Sequence, residues 1–190
     1  MNIIKLAENN SEKLLVDTEK ILRDGGLAVV PTDTVYGLVC DGLNKEAQDR
    51  IFEIKGRSGK KPLIGFVDTI EKVRQFAEIP AEKRALLEKS WPGATTFILK
   101  AKRNLHRITS PDGKMAFRIP DHRFLLRLIK RFDVLASTSA NISGEKNPSS
   151  TEEIAYAVKN MADIVIDGGA LPGNPSSIWD ITGKDPLRLR

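Results

Sequence analysis

Short apolar runs alternate with segments of helical periodicity along this chain, and no other sequence feature limits the fold as strongly. The periodicity predicts helices over residues 12–24, 45–55, 81–90 and 122–131, with two more capped at Asp68 and at Ser150 with Glu153. The apolar runs predict strands over residues 27–30, 38–40, 63–67, 95–101, 115–119, 133–136, 163–167 and 177–181. Because the two kinds of element alternate throughout, the sequence predicts the α/β class with a mixed sheet.

Length and apolar content predict one domain that spans residues 1–190. Of the 190 residues, 41% are hydrophobic, which is enough for one core. No apolar run approaches the roughly 20 residues that cross a bilayer, and the N-terminus lacks the long apolar segment of a signal peptide. Cys40 is the one cysteine, which excludes an intrachain disulfide and a cysteine-based zinc cluster. We therefore expect a soluble, cytoplasmic protein without a membrane partner.

Positive charge is concentrated in the middle of the chain. Residues 51–150 contain 20 Lys and Arg against 10 Asp and Glu, a balance of +10, and the remaining residues contain 10 against 15, a balance of −5. This asymmetry favours an anionic ligand, either a nucleotide or a nucleic acid. Solvated helix faces would give the same pattern, so charge alone leaves both interpretations open.

Three polar loops that directly follow predicted strands or helices could form a binding site. The first contains "PTDT", the second is "IKGRSGKKPL", and the third is "ASTSANISG". Arginine holds phosphate or carboxylate oxygens in pairs, and backbone amides and hydroxyls in a loop suit phosphate oxygens. Each loop alone could equally be a turn, a helix cap or a solvated basic segment. Three of them in one α/β domain predict a site for a polyanion such as a triphosphate, at the edge of the sheet where strands end.

Other kinds of site fit the sequence poorly. His106 and His122 have no partners at the spacing of metal ligands, and no metal site is predicted. The phosphate-binding pattern GxxxxGK[ST] and the nucleophile pattern GxSxG are both missing. Without an evident covalent nucleophile, catalysis would rest on positioning and electrostatics.

Five motifs resemble the L-threonylcarbamoyladenylate synthase family, also called the YrdC or TsaC family, and the resemblance covers nearly the whole chain. In chain order they read "PTDTVYGL", "KGRSGKKPL", "WPGATTFIL", "AFRIPDH" and "STSANISG". Three positions depart from the family pattern: Ala94 and Ser58 replace prolines, and Phe66 stands where many members have histidine. The resemblance implies one YrdC-like domain with a twisted mixed sheet, flanking helices and a large basic cleft.

The resemblance also implies an activity. The family joins L-threonine, bicarbonate or CO₂, and ATP into threonylcarbamoyl-AMP and pyrophosphate, with Mg²⁺ entering on the nucleotide. A threonylcarbamoyl transferase complex then modifies adenosine 37 of tRNA. We therefore expect a nucleotidyltransferase of tRNA processing, with ATP, threonine, bicarbonate and that complex as partners.

The resemblance also implies the site residues, some within the five motifs and others outside them. Threonine would contact Thr32, Phe66, Arg118 and Ser176. ATP would contact Lys55, Arg57, Lys61, Ser137, Ser139, Asn141, Asn147 and Arg190, of which Lys55 and Arg57 would be catalytic. Arg188 is the alternative to Arg190 if the alignment slips by two residues. An arginine that ends an apolar strand, as Arg118 does, would in any case need an anionic partner.

Two alternatives remain at this stage. The basic middle could bind tRNA or double-stranded RNA weakly, either beside catalysis or without it. Against a pure binding module, aromatic residues make up only 6% of the chain and lie mostly in apolar runs. The second alternative is a related domain that adenylates carbamoyl phosphate instead of threonine carbamate.

Overall fold

One mixed sheet of ten strands runs through the protein. The computed structural model describes residues 3–56 and 61–190. The strands are β1 (Ile3–Lys5), β2 (Ala28–Val30), β3 (Gly37–Asp41), β4 (Ile64–Phe66), β5 (Thr95–Lys100), β6 (Lys114–Arg118), β7 (Leu135–Ser139), β8 (Ile164–Asp167), β9 (Ser177–Asp180) and β10 (Leu187–Arg188). Their order across the sheet is β1-β8-β2-β3-β7-β4-β6-β5-β9-β10. The sheet contains parallel pairs such as β4–β6 and antiparallel pairs such as β4–β7, which confirms the predicted class.

In the described part of the chain, six α-helices cover the two faces of this sheet. They are α1 (Ser11–Arg23), α2 (Lys45–Lys55), α3 (Ile70–Phe76), α4 (Arg84–Ser90), α5 (Arg123–Ile129) and α6 (Tyr156–Met161). Apolar side chains of α1 and α5 pack in one buried cluster, and those of α2, α3, α4 and α6 pack in the other. Among the described helices, none is long and apolar enough to span a bilayer.

Strand residues alternate between the two buried clusters. Leu27 and Val29 pack on the side of α2, whereas Ala28 and Val30 pack on the side of α1. This period of two is the geometric rule for a pleated strand, and it lets one short apolar run serve both faces. At roughly 25 cal/mol per Å² of apolar surface removed from water, such burial is the main force that holds helices and sheet together.

Two predicted helix caps are wrong. The helix expected to be capped by Asp68 is capped by Thr69, whose hydroxyl accepts from the N–H of Lys72 at 3.2 Å. The helix expected to begin at Ser150 begins at Tyr156, because the Glu153 carboxylate instead accepts hydrogen bonds from the backbone N–H and hydroxyl of Ser149, at 2.7 and 2.8 Å. The sequence also gave no sign of the edge strands β1 and β10. Both are short, and neither contains a fully buried residue, so they lack the apolar alternation that identifies a strand.

Candidate active site

A cavity of about 380 Å³ lies over one face of the sheet. Nine of the twelve predicted site residues line it: Thr32, Lys61, Phe66, Arg118, Ser137, Ser139, Asn147, Ser176 and Arg190. The lining residues of β6 alternate in sequence: Ala116 and Arg118 face the cavity, while Phe117 between them packs in the opposite cluster. We expected a site at the edge where strands end. The cavity lies on the face instead, because α1 and α5 cover only part of that face. Leu135, at the start of β7, packs in their cluster and so belongs to the covered part.

The strand pairing sets the distance between the two ends of the cavity. Phe66 at the end of β4 pairs with Arg118 on one side and with Leu135 on the other. Ser139 is four residues beyond Leu135 along β7, which corresponds to about 13 Å of strand. Arg118 and Ser139 therefore mark opposite ends of one polar channel across the sheet.

The first of the three polar loops, the opening loop with "PTDT", forms around the buried hydroxyl of Thr32. Thr32 Oγ1 donates to the carbonyl of Val35 at 2.7 Å and accepts from the N–H groups of Thr34 and Val35 at 3.0 and 3.2 Å. Its distance to Thr34 Oγ1 is 2.9 Å, and because a hydroxyl has one proton, Thr34 must be the donor in that pair. Thr32 lines the cavity, but its hydroxyl already makes every hydrogen bond it can make.

Tyr36 connects this loop to two other segments. Its hydroxyl donates to the carbonyl of Gly169 at 2.7 Å and accepts from the N–H of Gly168 at 3.0 Å. Its own N–H donates to the carbonyl of Pro148, and its carbonyl accepts from the N–H of Ala140. Burial raises the pKa of Tyr36 to about 12, so the phenol stays protonated and can keep donating. The first and third loops are thereby fixed relative to each other.

Arg118 is held from three directions at the end of β6. Nε donates to the carbonyl of Gly93 at 3.0 Å, Nη1 donates to Thr34 Oγ1 at 3.0 Å, and Nη2 donates to Asp33 Oδ1 at 2.5 Å. The side chains of Arg118 and Asp33 are 4% and 13% exposed, so this is an almost buried ion pair. The three contacts fix the plane of the guanidinium, which lines the cavity.

Arg190 lines the cavity with Arg118. Its Nε donates to the carbonyl of Ser176 at 2.9 Å, and Ser176 Oγ lies 2.9 Å from Thr96 Oγ1. Burial, with a further contribution from the positive charge of Arg118, lowers the pKa of Arg190. Two guanidinium groups close enough to repel each other in one cavity would be relieved by an anionic ligand.

Lys55 lies behind the cavity wall. It is the last residue of α2, before Gly56 ends the helix in the left-handed conformation at φ 58°, and it is 1% exposed. Its Nζ donates to three oxygens, the carbonyls of Ser139 and Asn141 at 2.7 and 2.5 Å and Asn141 Oδ1 at 2.6 Å. Asn141 Oδ1 also accepts from the hydroxyl of Ser139 at 2.7 Å. The ammonium group therefore organises the third loop and orients Ser139, which does face the cavity.

Four predicted site residues have not yet been placed. Lys61, Phe66 and Asn147 line the cavity, whereas Arg57 lies outside the described residues. The sequence did not predict the pairing of Asp33 with Arg118, nor the contact of Thr34 with Arg118. The one available signal was the acidic residue inside "PTDT", which comes directly before a threonine that also contacts Arg118.

Comparisons with known proteins identify the family of this chain. The family model Sua5/YciO/YrdC, described as telomere recombination, matches residues 20–190. Threonylcarbamoyl-AMP synthase of Pyrococcus abyssi is 36% identical over 192 residues, covering 99% of this chain and 56% of that protein. Threonylcarbamoyl-AMP synthase of Pseudoalteromonas translucida is 36% identical over 171 residues, covering 86% of this chain and 91% of that protein.

A solved structure shows the same fold. The crystal structure of P. abyssi Sua5 complexed with L-threonine superposes with a TM-score of 0.92 at 35% identity, covering all of this chain and 57% of that one. The chain thus spans about half the length of the Pyrococcus relative. Motifs, fold and family model together establish that this chain belongs to the Sua5/YciO/YrdC family.

Proposed function

We propose that this chain synthesises threonylcarbamoyl-AMP from L-threonine, bicarbonate or CO₂, and ATP. The observation that carries the proposal is the polar channel with a rigid arginine at one end and hydroxyl, amide and cationic groups at the other. Arg118 suits an amino-acid carboxylate, and Lys61, Ser137 and Ser139 suit phosphate oxygens. Arg190, another predicted ATP contact in the cavity, lies near enough to Arg118 for their charges to interact. The similar proteins of Pyrococcus abyssi and Pseudoalteromonas translucida are both named for this product. The Pyrococcus protein was crystallised with L-threonine.

The proposed reaction has two steps. The threonine amine adds to CO₂ and loses a proton, which gives a carbamate. A carbamate oxygen then attacks the α-phosphorus of ATP, the bond from that phosphorus to the β-phosphate oxygen breaks, and pyrophosphate leaves. The chain supplies positioning, because holding the carbamate near the α-phosphate replaces a collision between free molecules. It also supplies positive charge near the oxygens where negative charge develops.

Lys55 and Arg57 take different parts in this proposal. Lys55 acts through the oxygens it holds, by orienting Ser139 and keeping a positive charge behind the third loop. Arg57, which lies outside the described residues, remains the proposed group that stabilises the leaving pyrophosphate. The other predicted contacts to threonine, Phe66 and Ser176, line the same cavity as Arg118.

Mg²⁺ would arrive on the nucleotide. Among the described residues, no group of three or more His, Cys, Asp or Glu side chains could hold a metal ion. Mg²⁺ commonly binds substrate phosphates and keeps several waters, which fits a site lined by hydroxyls and cations. When bound, it would neutralise charge on the phosphates, while the chain's own residues hold the nucleotide around it.

We further propose that the product passes to a threonylcarbamoyl transferase complex that modifies adenosine 37 of tRNA, in the cytoplasm. Weak binding of tRNA or double-stranded RNA to a basic cleft is part of the same proposal. Three cationic side chains, Lys61, Arg118 and Arg190, line the cavity and support it.

Product analysis tests the function directly. The protein is mixed with threonine, bicarbonate, Mg²⁺ and ATP, and threonylcarbamoyl-AMP is identified by mass spectrometry beside released pyrophosphate. We expect product with threonine and none when carbamoyl phosphate replaces threonine and bicarbonate. Ser139→Ala should lower the rate by about 100-fold, the scale for losing one donor aimed at a reacting oxygen, whereas the exposed control Lys130→Ala should not change it. Retention of tRNA on a filter without any adenylate product would favour the RNA-binding alternative.

A further inference from the structure

Asp33 occupies only part of the hydrogen-bonding capacity of Arg118. A guanidinium has five N–H groups, and Arg118 donates one each to Gly93, Thr34 and Asp33. Among the described residues, its other two N–H groups, one on each terminal nitrogen, make no hydrogen bond. Since Arg118 lines the cavity, these two groups are available to a ligand.

A carboxylate bound there would lie beside another carboxylate. Asp33 Oδ1 is 2.5 Å from Nη2, so a ligand oxygen on the second N–H of Nη2 would be its immediate neighbour. Both groups would carry negative charge in a place where Asp33 is 13% exposed and Arg118 is 4% exposed, so screening by water is weak. Asp33 therefore opposes the binding of a carboxylate that has no compensating charge of its own.

An α-amino acid has that compensating charge. Its ammonium group is two bonds from the carboxylate carbon, which brings it within range of Asp33 when the carboxylate binds Arg118. The second oxygen of Asp33, Oδ2, makes no hydrogen bond among the described residues and could accept from an ammonium. We propose that Asp33 is a specificity-determining residue that makes the Arg118 site select zwitterionic amino acids over carboxylates that lack an amine.

This inference rests on the proposed function and deepens it, because the proposed reaction needs a free amine on the bound acid. A hydroxy acid of the same shape would occupy the site without reacting. With Asp33 present, the pair of Asp33 and Arg118 is neutral overall, so a bare carboxylate gains less from Arg118 than it would from an unpaired arginine. The positive charge of nearby Arg190 attracts the carboxylate of both kinds of ligand, so it does not discriminate between them. A purely structural role for Asp33, that of holding the guanidinium plane, would affect both kinds of ligand equally.

Calorimetric binding without ATP tests the proposal. The two ligands are L-threonine and 3-hydroxybutanoate, which is threonine without its amine, and the proteins are wild type, Asp33→Asn and Asp33→Glu. In wild type we expect threonine to bind at least about tenfold more tightly, the ratio that corresponds to about 1.4 kcal/mol. In Asp33→Asn the ratio should fall to about one, with 3-hydroxybutanoate binding more tightly than it does to wild type. Asp33→Glu keeps the charge and should keep most of the preference.

The outcomes separate this inference from the proposed function. Equal affinity of wild type for both ligands, or an unchanged ratio in Asp33→Asn while threonine still binds, would overturn the role of Asp33 and leave the proposed function standing. Equal weakening of both ligands would also overturn it and would reduce Asp33 to a support for Arg118. Failure of wild type to bind threonine at all would overturn both. If Asp33→Asn does not fold, the ratio of threonine to 3-hydroxybutanoate affinity in wild type and in Asp33→Glu still tests whether Asp33 sets the preference.

Discussion

Two buried cations stand at opposite ends of the proposed site, and the protein holds them in different ways. Arg118 is a planar group fixed by a carboxylate, a hydroxyl and a carbonyl from the opening loop and Gly93. Lys55 is a compact ammonium surrounded by three oxygens from Ser139 and Asn141. Arg118 lines the cavity, whereas the wall of the third loop separates Lys55 from it.

The difference shows that burial alone does not identify a ligand-binding cation. Arginine has more N–H groups than its protein partners use, so a fixed arginine can still bind a ligand. An ammonium has three N–H bonds, and the three oxygens around Lys55 match that number. We therefore expect Arg118 variants to change affinity for a substrate, and Lys55 variants to change the loop that contacts it.

The largest effect is expected from Arg118→Met. Removing one member of a buried ion pair leaves the charge of Asp33 uncompensated, which should lower the free energy of unfolding by about 3 kcal/mol, the low end of the usual range, because Asp33 keeps some contact with water. Threonine affinity should fall roughly 10- to 150-fold through loss of a charge-assisted pair, while ATP affinity stays close to normal. Urea denaturation and calorimetric titration measure the two quantities. Equal weakening of threonine and ATP would show that Arg118 does not discriminate between the two ends.

Lys55→Met comes next. Methionine keeps the aliphatic length but leaves the carbonyls of Ser139 and Asn141 without a donor, so the free energy of unfolding should fall by about 2 kcal/mol. Turnover should fall about 100-fold or more, because Ser139 loses its orientation. Lys130→Met, on the exposed end of α5, is the matched control and should change neither quantity. Normal turnover in a folded Lys55→Met protein would remove this residue from the mechanism.

A smaller effect is expected from Thr32→Val. The hydroxyl supports the opening loop, so its loss should lower stability by about 1 kcal/mol. Because that hydroxyl is already occupied, we expect wild type and Thr32→Val alike to prefer threonine over serine and over valine by at least about tenfold. Thr34→Val, which removes a contact of Arg118, should reduce the preference. Pyrophosphate release with each amino acid measures it, and a lost preference in Thr32→Val alone would return the selecting role to Thr32.

The smallest effect concerns pH at the Arg118 end. Burial lowers the pKa of His122, although the neighbouring carboxylates of Asp33 and Asp121 act in the opposite direction. The folded state therefore binds this proton less readily than the unfolded chain, so the contribution to stability is complete above the unfolded pKa of 6.5 and is lost as pH falls below it. Denaturation midpoints of wild type and His122→Asn, compared from pH 8 to pH 5, should converge toward the acid end. Parallel curves would contradict the lowered pKa of His122 in the folded protein.

Much of this arrangement could be predicted from the sequence, and the rest depended on contacts between distant residues. The alternating elements predicted the mixed sheet, and the family resemblance predicted nine residues that line one cavity. The pairing of Asp33 with Arg118 joins residues 85 positions apart, for which one sequence contains no local signal. One sequence also contains no local signal that the site lies on a face of the sheet and not at its edge. Its position depends on which part of the sheet α1 and α5 leave uncovered.

The alternation of residues along β6 has a consequence for how the protein can change. Arg118 faces the cavity and Phe117 faces the opposite hydrophobic cluster, so a single inserted or deleted residue in this strand would exchange them. A guanidinium would then enter the core and a phenyl ring would fill the ligand space. Strand register and substrate recognition are therefore one property here, and variation in length can be tolerated only outside the strands that carry the site.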